Sequence, residues 1–223
     1  MRKRSTQRQQ GQSLTEFIVA ISGFGILLLS LLQIILFYRA KATVDYAAME
    51  AARAGALHGA DMTAMRKGFA RGLTPLYATA TASPTAIATA EAFAHAYTDI
   101  NVFRVGSVTV ISPTGAAYDD FKEAQYDGSM ALPNDSLNFR SSITGSRSGL
   151  SVQDANILKI EVSYDYPMIV PLMDKFLAGF NVAKLDLART AKDGHTVYSI
   201  PIVSSAMVRM QSPVTARGNL AAR

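Results

Sequence analysis

Between Phe17 and Tyr38 the chain reads FIVAISGFGILLLSLLQIILFY, twenty-two residues without a charged side chain. As an α-helix at about 1.5 Å per residue this run is ~33 Å long, enough to cross the ~30 Å hydrocarbon core of a bilayer. A soluble core helix is rarely apolar on every face, as this one is. The pattern therefore predicts a single membrane span over about 17–38. Beyond it the helical pattern continues: Ala40 to Gly55 contains no Pro and no interior Gly, and Ala is the best helix former. Ala48, Ala51, Ala52 and Gly55 fall at i, i+3, i+4 and i+7, a stripe of small residues that permits close packing. Gly55 and Gly59 are the first stop signals, so one helix of ~65 Å is expected from Gln12 onward.

Further along, Asp61 to Gly72 places Met62, Met65 and Phe69 on one helical face, with Thr74-Pro75 expected to break the helix. Thr79 to Thr89, around Pro84, reads as a loop or weak helix, and Glu91 to Tyr97 as a helix. The period then drops to two. Val102 to Ile111 is rich in β-branched residues and ends at Ser112-Pro113. In Asn156 to Asp165, Leu158, Ile160, Val162 and Tyr164 alternate with Lys159, Glu161, Ser163 and Asp165, the signature of a half-buried strand. Val197 to Met210 reads as another, interrupted by Pro201, with Ala206, Val208 and Met210 on one face. Gly115 to Gly149 is loop-rich with a turn at Pro133-Asn134-Asp135, and Pro171 to Phe180 forms a short amphipathic helix. The expected fold class is α+β: a long N-terminal transmembrane and stalk helix, then a small antiparallel sheet with flanking helices. Residues 1–11 form a basic leader, 12–60 the transmembrane and stalk helix, and 61–223 the extracytoplasmic head.

Charge sharpens this picture. The chain carries 22 Lys+Arg against 17 Asp+Glu, a net of +5, which by itself raises nucleic acid as a partner. Arg2, Lys3, Arg4 and Arg8 lie ahead of the apolar run, with no acid among the first fifteen residues. Such a flank keeps the N-terminus cytoplasmic and exports the rest. Arg39 and Lys41 follow the span, diluted by Asp45 and Glu50. Without residues 1–11, eighteen basic side chains face seventeen acidic ones, a net of +1. The basic excess thus belongs to the leader, and aromatic residues are not interleaved with basic ones, so nucleic-acid binding is not expected.

The segment Gly11-Gln12-Ser13-Leu14-Thr15-Glu16-Phe17 opens the apolar run. Ser13 and Glu16 fit a capping box, in which hydroxyl and carboxylate satisfy the first backbone N–H groups of a helix. An acid at the entrance of a membrane span nevertheless costs free energy that Gln would avoid. A Gly followed by Glu-Phe at this spacing, after a basic leader and before a long apolar helix, resembles the processing site of type IV prepilins. That resemblance implies cleavage after Gly11 by a membrane-embedded prepilin peptidase and a mature chain beginning at Gln12. Glu16 would then be its fifth residue, with Phe17 beside it. Residues at i and i+4 share a helix face, so Glu16 can neutralise the new amine at Gln12, or meet the amine of a neighbouring subunit and set axial register.

Ala47-Ala48-Met49-Glu50-Ala51-Ala52-Arg53, directly after the span, is similar to the A-x-E-A-A-R signature of TadE-like pseudopilins, minor subunits of the Tad (Flp-type) pilus apparatus. The runs from Gln153 to Lys159 and from Val208 to Pro213 also read like larger members of that family. Two features favour a minor subunit: the major Flp pilin is far shorter, and Glu16-Phe17 is not followed by the Glu/Phe-Tyr pair of major pilins. The implied partners are the prepilin peptidase, other pilins and pseudopilins, the inner-membrane assembly platform and membrane lipid. The implied location is the inner membrane, with the head on its far side.

Chemistry-bearing motifs are scarce. There is no Cys, and His58, His95 and His195 have no ligand spacing, so no metal or cofactor is expected. Gly145-Ser146-Arg147-Ser148-Gly149 has Arg at its centre and is no nucleophile elbow. No phosphate-binding loop is present, and Asp119-Asp120 reads as a solvated turn. A non-enzymatic structural subunit is the expectation. The competing reading is an unprocessed single-pass protein with an extracytoplasmic binding or sensor domain. A signal peptide cut at Ala40-Lys41-Ala42, starting the mature chain at Thr43, fits less well because the apolar run exceeds the usual ~7–15-residue signal core.

Overall fold

Ala, Leu and Ile dominate the first helix, and it runs unbroken: α1 covers Gln12–Leu57, 46 residues and ~69 Å. The computed structural model describes residues 12–78 and 86–222. The leader, Gly11 and most of the Thr79–Thr89 stretch lie outside them. After α1 come α2 (Met62–Tyr77), α3 (Ala86–Asn101), β1 (Gly106–Ser112), α4 (Gly115–Phe121) and the short pair β2 (Glu123–Ala124) and β3 (Met130–Ala131). The chain continues through α5 (Val152–Ala155), β4 (Ile157–Pro167), α6 (Met173–Gly179), β5 (Lys184–Leu185), α7 (Leu187–Asp193) and β6 (Tyr198–Arg209). The fold is α+β, a long apolar N-terminal helix followed by a small antiparallel sheet with flanking helices.

The main sheet has the order β1-β4-β6-β5, every neighbour antiparallel. Alternation along β4 sets its two faces. Leu158, Ile160, Val162 and Tyr164 are buried with Ile202 and Ala206 of β6 and Val108 and Val110 of β1, while Glu161, Val203 and Met207 face outward. The second half of α1 lies across the inner face over β4 and β6, with α2 beside it toward β1 and α3 packed outside α2. Phe69, Met65 and Leu73 of α2 are fully buried at this junction, each worth about 1.5–3 kcal/mol of apolar burial. Pro201 sits inside β6 opposite Asp165. Because β5 pairs only with Tyr198 and Ser199, the other side of β6 is an open edge there, where a missing N–H disrupts no ladder.

Several boundaries differ from the sequence reading; the helix read over Glu91–Tyr97, for one, extends over Ala86–Asn101. The α1 helix begins at Gln12, so Ser13 lies inside the first turn and is not the cap. Pro75 does not end α2: the helix continues to Tyr77, and the Ala78 N–H donates to the Thr74 carbonyl at 3.1 Å. Burial of Leu73 and anchoring of Tyr77 hold that last turn. The strand expected from Val102 starts at Gly106, because Val102, Phe103 and Val105 return their N–H groups to Thr98 and Asp99 at the end of α3. The loop-rich 115–149 stretch contains α4, started by Thr114, whose hydroxyl accepts from the Ala117 N–H at 3.1 Å.

Candidate functional site

Two halves of α1 have different surroundings. No described side chain from Ser13 to Leu32 is buried, and Leu14, Phe17, Phe24, Leu27 and Leu31 are each more than half exposed. Two hydroxyls in this stretch turn back onto the helix, Ser22 donating to the Ile18 carbonyl at 2.7 Å and Ser30 to the Ile26 carbonyl at 2.8 Å. Among the described residues this is the one helix long and apolar enough to cross a membrane. Gly11 lies outside the described residues. Gln12 opens the helix, Glu16 lies one turn on, and Phe17 next to it is exposed.

From Gln33 onward one face is covered. Gln33, Ala40, Val44, Ala47, Ala48, Ala51, Ala52 and Ala56 are all buried. The predicted stripe of Ala48, Ala51, Ala52 and Gly55 therefore faces the head. A Cβ on Gly55 would come within 2.8 Å of the Met65 and Leu158 side chains. The partners across the helix pair are Gly68 and Gly72 of α2. A Cβ at Gly68 would lie 2.8 Å from the Glu50 carbonyl, and one at Gly72 would strike the main chain of Ala47. Glycine is required there by backbone approach. The sequence reading singled out the Ala stripe but not the Gly68-x-x-x-Gly72 spacing that meets it.

The stretches singled out after the span are brought together at the far end of α1. The Ala56 carbonyl accepts from the Gln211 N–H, the Ser212 N–H and the Ser212 hydroxyl at 3.0, 3.1 and 3.0 Å. Ser212 Oγ in turn accepts from the Gly59 N–H at 2.7 Å. Asn156, fully buried, donates through Nδ2 to the carbonyls of Pro133 and Val152 at 2.8 and 2.9 Å, and its main-chain carbonyl takes the Met210 N–H at 2.8 Å. Gln153 Nε2 bridges the carbonyls of Leu137 and Arg140, both at 3.0 Å. These polar residues serve orphan backbone groups at a helix end and in loops.

A second polar assembly escaped the sequence reading. Tyr77 of α2 donates to Asp99 of α3 at 3.0 Å and lies 3.1 Å from the Tyr164 hydroxyl of β4. Arg189 of α7 donates to that hydroxyl at 3.0 Å, and Lys192 reaches Asp99 at 2.7 Å. Asp186 caps α7 through the Arg189 N–H at 3.0 Å and faces the Arg189 guanidinium at 3.4 Å. Burial, then the Tyr164 hydroxyl and the Asp99 carboxylate, pushes the Tyr77 phenol far up, so it stays protonated and donates. These residues are dispersed over 116 positions of sequence with no periodic signal; only the Asp186-x-x-Arg189 cap was legible. Asp119 and Asp120 do not act as a pair: Asp119 binds Arg217 at 2.7 Å, and Asp120 accepts from the Ser148 N–H and hydroxyl, both at 2.8 Å. Among the described residues no three His, Cys, Asp or Glu gather as a metal site. His58 turns to its own helix, Nδ1 lying 2.8 Å from the Ala54 carbonyl.

Compared with family models, curated proteins and solved structures, the chain matches none. The arrangement is one of docking surfaces: a bare apolar helix carrying an early carboxylate, and a head clamped to the helix's second half.

Proposed function

We propose that the chain is a minor pilin-like structural subunit of a Tad/Flp-type pilus assembly system, cut by a prepilin peptidase after Gly11 and assembled through its N-terminal helix. The observation that carries this reading is the division of α1: unbroken from Gln12, with no buried side chain from Ser13 through Leu32, then capped along one face by an α+β head. An exposed apolar rod with a carboxylate one turn from its start suits first a bilayer and then a bundle of like helices. Cleavage after Gly11 would leave a cationic amine at Gln12, four residues before Glu16, so the two can neutralise each other or pair between subunits. In a low-dielectric site such a pair is strong, and loss of either member strands the other.

Because the Ala48–Gly55 stripe is taken up by the head, packing against other subunits along the stalk falls to its opposite face. Tyr46, Met49, Arg53 and Leu57, at i, i+3, i+7 and i+11, are exposed there. In this reading the basic leader holds the N-terminus in the cytoplasm, the helix sits in the inner membrane and the head lies beyond it. The test is Gly11→Ala in cells carrying a prepilin peptidase: the variant should insert in the membrane and retain its leader, while the parent chain loses it. Equal processing of both would refute the proposal.

A further inference from the structure

The base of the head carries an apolar surface that its own fold leaves uncovered. Ile169, Leu172, Phe176, Phe180 and Val182, in and around α6, are 60, 69, 44, 67 and 49% exposed. Phe176 and Phe180 meet edge to face with centroids 5.1 Å apart. Leu172 holds φ +70°, a strained conformation for a large side chain, and that strain is not offset by packing within the head, since the side chain points outward. Strain of this kind persists where the surroundings of a functional surface compensate it.

The position of this surface along α1 identifies what covers it. The Val170 N–H donates to Gln33 Oε1 at 3.1 Å, and Ser30 Oγ lies 3.3 Å from Met173 Sδ. Both α1 residues belong to the charge-free run that begins at Phe17. Gln33 is sixteen residues beyond Phe17, about 24 Å of helix, whereas the hydrocarbon core is ~30 Å thick. A bilayer that starts at Phe17 therefore ends beyond the height at which the α6 segment touches α1. Ile34 and Ile35 of α1 are exposed at the same height, and Lys175 and Lys184, both exposed, have stems long enough to carry their charges up to the headgroups.

We propose that the α6 segment is a second membrane contact, seated in the leaflet on the head's side of the bilayer, with Leu172, Phe176 and Phe180 among the acyl chains. It fixes the head against the membrane surface and resists its tilting about α1. Interfacial segments of this kind bury their apolar face ~5–10 Å into the headgroup–acyl boundary, the depth the helix arithmetic gives. The proposal rests on the reading of α1 as a membrane span.

The chain contains no Trp, so single Trp substitutions report their depth without background. The full-length variants Phe176→Trp and Leu172→Trp are reconstituted into phosphatidylcholine vesicles containing acyl-brominated phosphatidylcholine. Phe24→Trp reports the span. Phe139→Trp reports the far end of the head: Gln153 holds the neighbouring Leu137 carbonyl, and the adjoining Asn156 main chain pairs with Met210, next to the Gln211 that binds Ala56 near the end of α1. At ~5–10 Å depth the bromines should lower emission roughly two-fold at 176 and 172, as at 24, and leave 139 unchanged. Quenching at 24 with none at 172 and 176 overturns the α6 contact and leaves the span standing. Shielding of 176 from aqueous acrylamide without bromolipid quenching also overturns it, since another protein chain then covers the surface. No quenching at 24 removes the span and the α6 contact together.

Discussion

The backbone N–H of Val170 donates to the side-chain oxygen of Gln33 at 3.1 Å, joining the base of the head to the apolar run of α1. Gln33 is buried, the first fully covered side chain along α1 among the described residues. A polar side chain in the middle of an otherwise apolar run thus has a structural reason: it accepts a backbone donor that would otherwise be orphaned in apolar surroundings.

Replacing Gln33 by Leu removes that acceptor. A net hydrogen bond is worth about 1 kcal/mol, so amide exchange at Val170 should accelerate roughly five-fold, while exchange in β4 stays unchanged. Hydrogen exchange by mass spectrometry on the full chain in detergent reads both segments at once.

Gly72→Ala drives a methyl group into the main chain of Ala47. Neither backbone can yield without moving a helix, so a loss of about 1–3 kcal/mol is expected, seen as a lower unfolding midpoint. Gly23→Ala, with no neighbour within 4 Å, is the matched control and should not lower it.

In the buried polar assembly, Arg189→Leu leaves the 8% exposed Asp186 without its countercharge. Stranding a buried charge costs about 3–5 kcal/mol. Tyr77→Phe removes one donor to Asp99, which keeps Lys192, and should cost about 1–2 kcal/mol. Thermal unfolding should rank the two variants in that order.

Asp120 tests the pH dependence of the head. Burial works against its charge, but the N–H and hydroxyl of Ser148 and the N–H of Arg147 hold its carboxyl below the ordinary 3.8. A depressed folded-state value means that the contribution is complete above 3.8 and fades as the pH falls through the lower folded-state value. Protection of the Arg147 and Ser148 amides should persist at pH 5 and disappear on strong acidification. Asp120→Asn should weaken that protection at pH 5 and remove its loss on acidification.

The sequence carried the architecture further than the contacts. Period-two alternation marked β4, since Leu158, Ile160, Val162 and Tyr164 must share one face, and the charge-free run marked α1 because it is apolar all round over the length of a bilayer crossing. The Ala48–Gly55 stripe was legible as a packing surface, but its partner was not, because both a neighbouring subunit and the chain's own α2 suit small residues. Boundaries at Pro75 and Val102 were misjudged where tertiary anchoring of Tyr77 and the carbonyls ending α3 overrode local signals. The Tyr77–Asp99–Tyr164–Arg189 assembly was not legible as a unit, since its members come from four elements with no shared spacing. Glu16 and Gly11 draw their interest from the sequence pattern alone.

The most direct test is the N-terminal sequence and intact mass of the chain recovered from cells that carry a prepilin peptidase. The account predicts a chain that begins at Gln12, free of its four leader charges. A chain that keeps residues 1–11, or that begins at Thr43, would contradict it.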